Sequence, residues 1–149
     1  MSESANYERW RAGVAAGLTT AAILIVAFWV LWWSDRGLIA SRATRAYYAF
    51  EEGFQLADAW LLLAVVAAAV ELIRRRGDAL VWLIAAGGAG LYLLAMDMYY
   101  DLGHGIYGSG TGGVIELVID LLLAAGSIVV LRWAWVQRRA LLGGAPRRP

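Results

Sequence analysis

The sequence contains no cysteine and no lysine. Without cysteine there are no disulfides, no thiol nucleophile and no thiolate metal site. Without lysine, Schiff-base chemistry and a Walker-type phosphate loop are both excluded. A single histidine, His104, rules out two-histidine haem ligation within one chain. Net formal charge is +1, and the charges are dispersed, so nothing resembles a nucleic-acid surface.

What remains is apolar. Hydrophobic residues make up 61% of the 149, and mean hydropathy is +0.60. Soluble domains hold about 45–50%. Four membrane-crossing helices need about 80 apolar residues, which leaves little for a soluble domain. Four runs fit: 12–33, 54–73, 79–100 and 113–136. Stretches such as Leu61-Leu62-Leu63-Ala64-Val65-Val66 are apolar all round, as in a membrane helix and unlike a half-buried strand. The expected fold is all-α: one integral membrane domain over 1–149, a four-transmembrane-helix antiparallel bundle. The first run is too long for a signal-peptide core and is read as an uncleaved anchor.

Arginine distribution orients the chain. Arg9, Arg11, Arg74, Arg75, Arg76, Arg132, Arg138, Arg139, Arg147 and Arg148 fall on one side if the spans alternate. Only Arg36, Arg42 and Arg45 fall on the other. The positive-inside rule then places both termini in the cytoplasm. The Arg-only, Ala- and Gly-rich composition suggests a GC-rich bacterial genome, and with four spans the expected location is a bacterial inner membrane. Aromatic belts are expected at Trp29, Trp32, Trp33, Trp60, Tyr99 and Tyr100 outside, and at Trp10, Trp82, Trp133 and Trp135 inside.

Between the first two runs, Ile39, Ala43, Ala46, Tyr47, Phe50 and Phe54 recur at helical spacing. They predict a short amphipathic helix in the first extracytoplasmic loop. Arg74–Asp78 is short enough to force an antiparallel hairpin. Residues 101–112 are turn-rich, and the tail after Arg139, with Gly143, Gly144, Pro146 and Pro149, is expected to fray. Glu71 and Arg75 stand four apart and are expected to pair on one helix. Gly13 with Gly17, Gly87, Gly88, Gly90 and Gly126 invite close helix contact, either inside one bundle or in a homodimer.

The chemistry-bearing residues concentrate at the outer end. Asp58 starts the second run, Asp97 and Asp101 end the third, and Glu116 and Asp120 open the fourth. Each four-residue pair shares one helix face. A bare charge in mid-span costs about 2.5–3.5 kcal/mol, so such acids face the bundle interior and have partners. Three partners are available. The first is the outer arginines, with Arg42 and Arg45 as counter-charges. The second is a proton, because crowded carboxylates cannot all ionise cheaply. The third is a divalent metal held by some of Asp97, Asp101, His104, Glu116 and Asp120. No other cofactor is indicated.

Tyr92, Tyr99, Tyr100 and Tyr107 are candidates to line the pocket. Asp97 and Asp120 are expected to be the buried acids, Asp101 and Glu116 nearer the rim, and His104 a pH-sensitive gate. The expected role is binding an ion, or a small or lipid ligand, in this pocket, as a transport or accessory subunit. A binding role is favoured over catalysis. The alternatives are an intramembrane enzyme using carboxyl acid–base chemistry on a lipid or isoprenoid, and an interaction protein whose acids only fix the bundle. Partners under these readings are the bilayer, a small or lipid ligand, and a second copy or another membrane subunit.

Overall fold

The computed structural model describes residues 3–143 and is all-helical there, with no strand among the described residues. The helices are α1 (Glu3–Asp35), α2 (Arg45–Gly53), α3 (Gln55–Ile73), α4 (Ala79–His104) and α5 (Thr111–Leu142). Two single 3-10 turns, Arg36–Leu38 and Ile106–Gly108, join them. Four segments are long and apolar enough to cross a membrane: Tyr7–Leu38, Arg45–Ile73, Ala79–His104 and Thr111–Leu142. The helices outrun the apolar runs because nothing in the flanking polar residues breaks them. α5 continues helical through Leu142, past the point where fraying was expected. The rest of that expectation (Gly144, Pro146, Pro149), together with Arg147 and Arg148, lies outside the described residues.

Successive spans are neighbours: α1 packs on α3, α3 on α4, and α4 on α5. The hairpin at Arg74–Asp78 is present, as its length required. The core is built from small side chains, with Ala64, Ala68, Ala79, Leu83 and Ala134 fully enclosed. The outward faces are apolar instead: Ile23, Leu24, Val30, Val81, Leu121, Leu122 and Val129 are all more than half exposed. In water such a surface would drive aggregation, whereas hydrocarbon satisfies it.

Small residues serve the α4–α5 contact. A Cβ on Gly87 would fall within 2.9 Å of Leu131 Cδ2, and one on Gly90 would strike the Ser127 hydroxyl. Gly13 and Gly17 behave differently. Both are exposed with nothing within 4 Å of a built Cβ, so they do not mediate contact inside the bundle.

Two local expectations are corrected. Glu71 pairs with Arg76 at 3.3 Å, while Arg75 pairs with Glu8 at 3.1 Å. The reason is backbone: Arg75 has φ 57, past the end of α3, so the four-residue helical register no longer holds there. The belts also need revision. Trp32 is 1% exposed and belongs to a second core with Tyr47 and Ile106. Trp60 and Trp82 have ring centroids 6.4 Å apart and cannot mark opposite surfaces.

Candidate functional site

α2 lies across one end of the bundle and carries the site's first two groups. Thr44 caps it, its hydroxyl accepting from the Tyr47 backbone N–H at 3.3 Å. That start places Tyr47 and Glu51, four residues apart, on the buried face. Ala46, expected on that face, is exposed. Tyr47 packs against Trp32, Tyr48 and Tyr100. Its hydroxyl donates to Glu116 Oε1 at 2.9 Å across 69 residues of sequence.

α4 and α5 contribute the remaining acids. On α4, positions 86, 90, 93, 97 and 101 follow the inward helical register. α4 runs past Tyr100 to His104 and stops at Gly105, whose φ of +64 suits a residue without a Cβ. The chain then folds back through the Ile106–Gly108 turn, which presents the Tyr107 hydroxyl as a donor to Asp120 Oδ2. α5 comes close enough to this turn that a Cβ on Gly113 would overlap the Ile106 carbonyl and the Tyr107 backbone. Burial, followed by the hydrogen bond to Asp120, raises the Tyr107 phenol well above the ordinary tyrosine range, so it acts as a donor.

Five carboxyl groups are therefore linked as electrostatic neighbours, Glu51, Asp97, Asp101, Glu116 and Asp120, and Asp58 adjoins them through Glu51. Asp97 and Asp120 are within side-chain hydrogen-bonding reach across the α4–α5 interface. Asp101, expected nearer the rim, is 0% exposed, while Asp97 is only half-buried. Neither Asp101 oxygen has a hydrogen-bond partner, and Asp120 Oδ1 has none either. Such unpaired groups inside a fold are uncommon and call for a reason.

Of the expected counter-charges, Arg42 lies within electrostatic reach of Asp101 but makes no hydrogen bond to it. Among the described residues no arginine forms an ion pair with any of these five acids. Arg42 donates instead to the Gly105 carbonyl at 3.2 Å, and Arg45 forms no ion pair there. The outer arginine that does pair is Arg36, with Glu52 at 3.1 Å on the exposed edge. Nor, among the described residues, do three or more acids and histidine converge in a geometry that holds a metal ion.

The other candidates are scattered. Tyr92 is 64% exposed, because it sits one position off the inward register of α4. Tyr99 is outward as well, midway between the inward positions 97 and 101. Tyr100 is half-buried, stacked between Phe50 at 3.6 Å and His104 at 4.0 Å. His104 is exposed and its Nδ1 lies 2.8 Å from the Tyr100 carbonyl. Asp58 touches the cluster only through its reach to Glu51; it lines a groove between α1 and α3, accepting from Trp29 Nε1 at 3.0 Å. The sequence reading passed over Tyr47 and Glu51 as site residues, although their four-residue spacing on an amphipathic segment was visible.

No family model, no curated protein and no solved structure matches the chain.

Proposed function

We propose that the chain is a multi-pass protein of a bacterial inner membrane, both termini cytoplasmic, whose outer-leaflet acid cluster takes up a cation. The observation that carries this reading is Asp101: fully enclosed, both oxygens unpartnered, among four further carboxyl groups and no paired arginine. A membrane protein that encloses acids without an ion-paired counter-charge gains a direct partner whenever a cation enters. The proton suits the site best. Asp97 and Asp120 lie within each other's electrostatic reach, so one proton relieves their mutual repulsion, and Tyr47 and Tyr107 donate to Glu116 and Asp120. A small monovalent ion is the next occupant, since no donor set converges as a divalent metal requires.

The test is linkage. A cation that binds only the folded protein stabilises it, by about 2.7 kcal/mol at 100 times its Kd. Thermal unfolding of the bilayer-reconstituted protein is followed across pH and across sodium, potassium, magnesium and calcium series. The expected result is a midpoint that depends on proton or sodium concentration in wild type and loses that dependence in Asp97→Asn. A midpoint indifferent to pH and to every cation overturns the proposal.

A further inference from the structure

A second polar feature shares no lining residue with the acid cluster, although its Asp58 lies within electrostatic reach of Glu51. Between α1 and α3 an open groove of about 670 Å³ faces the bilayer, within the size range of small-molecule sites. Its length from Ile25 to Ser34 spans nine residues, roughly 14 Å at 1.5 Å per residue, close to one leaflet of a core about 30 Å thick. Ile25, Val26, Val30 and Leu62 make most of it apolar.

The polar groups sit together towards one end. Asp58, in the first turn of α3, lines the groove; its one side-chain bond is from the neutral Trp29 indole N–H to Oδ2. Among the described residues it has no ion-pair partner. Gln55, three residues before it, has an amide nitrogen without a hydrogen-bond partner. The Trp29 and Trp33 rings flank the same end, and indole faces attract ammonium groups. Trp29 is held in place by edge contacts with Phe28 and Trp32.

We propose that this groove is a lateral binding site for a membrane lipid with a primary ammonium headgroup, its acyl chain lying along α1 and its ammonium on Asp58. Charge and shape select that occupant. A leaflet-length apolar slot fits one chain, and an unpaired carboxylate at its head end repels anionic lipids. A primary ammonium donates N–H groups to the carboxylate, which a trimethylated ammonium lacks.

The test uses the tryptophans in the groove wall. The full-length protein is reconstituted in phosphatidylcholine vesicles. These contain increasing mole fractions of a brominated-chain lipid bearing an ethanolamine, choline or glycerol headgroup, and tryptophan emission is read. Subtracting the response of a Trp29→Phe/Trp33→Phe variant isolates the groove signal. The ethanolamine lipid is expected to reach half-quenching at a mole fraction roughly two- to fivefold lower than the others, as one partly exposed ion pair supplies. Asp58→Asn should erase that preference, and Asp78→Asn, at the start of α4 beyond the far end of α3, should keep it. Val30→Trp fills the slot from an exposed position and should weaken the isolated signal for all three lipids, which keeps the test decisive if Asp58→Asn misfolds.

Equal quenching by the three lipids in wild type would mean ordinary annular lipid only. A preference that survives Asp58→Asn, or a signal that vanishes as protein density rises because a second copy covers the groove, would equally overturn the proposal. A cation response in the outer cluster is unaffected by any of these outcomes.

Discussion

Asp101 separates acids that hold the bundle together from acids that the bundle holds in place. Its side chain is fully enclosed and both oxygens lack partners. It also occupies the last turn of α4, where the negative end of the helix dipole disfavours an acid. Enclosing an unsatisfied polar group costs about 1–3 kcal/mol. Asp101→Ala removes that cost and leaves a space of about one water, about 30 Å³. At about 24 cal/mol per Å³ the space costs about 0.7 kcal/mol. Alanine's helix propensity exceeds that of aspartate by up to about 0.7 kcal/mol and offsets it. The net expectation is a stabilisation of about 1–3 kcal/mol. The assay is reversible unfolding by SDS in mixed micelles, followed by far-UV circular dichroism. Asp101→Asn is run beside it and should stay near wild type, since an amide needs partners as well. A loss of about 1 kcal/mol or more in Asp101→Ala would refute the reasoning. It would mean that the carboxylate is a structural partner and that the cluster is a stabilising network.

Tyr47→Phe removes the hydroxyl that donates to buried Glu116. It should cost about 1–3 kcal/mol, while Tyr47→Phe combined with Glu116→Leu should recover most of the loss, as a double-mutant cycle in the same unfolding assay will read. Gly113→Ala drives a Cβ into the backbone of Ile106 and Tyr107, which no rotamer change relieves. It should lower stability by about 1–3 kcal/mol and abolish the cation dependence of the midpoint, because Tyr107 can no longer reach Asp120. Finally, a chain without native cysteine allows clean topology mapping. In intact cells Ser109→Cys should react with an impermeant maleimide and Ser2→Cys should not; the reverse pattern would overturn the assigned orientation.

The fold was legible because its signals are repetitive. Four apolar runs, each about as long as a bilayer is thick, leave one helical solution, and the Arg74–Asp78 connection is too short for anything but a hairpin. Legibility failed where one residue's backbone decides the outcome. Arg75 leaves the helix at φ 57, and a pairing inferred from four-residue spacing moves to Arg76. Trp32 reads as a belt residue from its place near the end of a run, yet α2 folds over it and makes it core. A periodicity reports which residues share a face; it carries no information about what arrives to cover that face.

The same distinction governs the acids. That Asp97 and Asp101 share a face with the inward residues of α4 follows from helical spacing alone. That Glu51 joins them does not, because it depends on how α2 docks. The arginines make their hydrogen bonds and ion pairs away from the enclosed acids: Arg42 donates to the Gly105 carbonyl that ends α4, and Arg36 pairs with Glu52 beside the Trp32, Trp33 and Tyr48 rings. These bonds are made at the exposed edge, so Asp101 feels Arg42 and His104 through space and receives no hydrogen bond from either. Unpartnered polar atoms also occur elsewhere among the described residues, at Trp32, Ser41, Gln55 and Trp133. The acid cluster differs in kind, because its enclosed, unpartnered atoms belong to carboxyl groups on facing helices, and such a concentration of conflict is where function is to be sought.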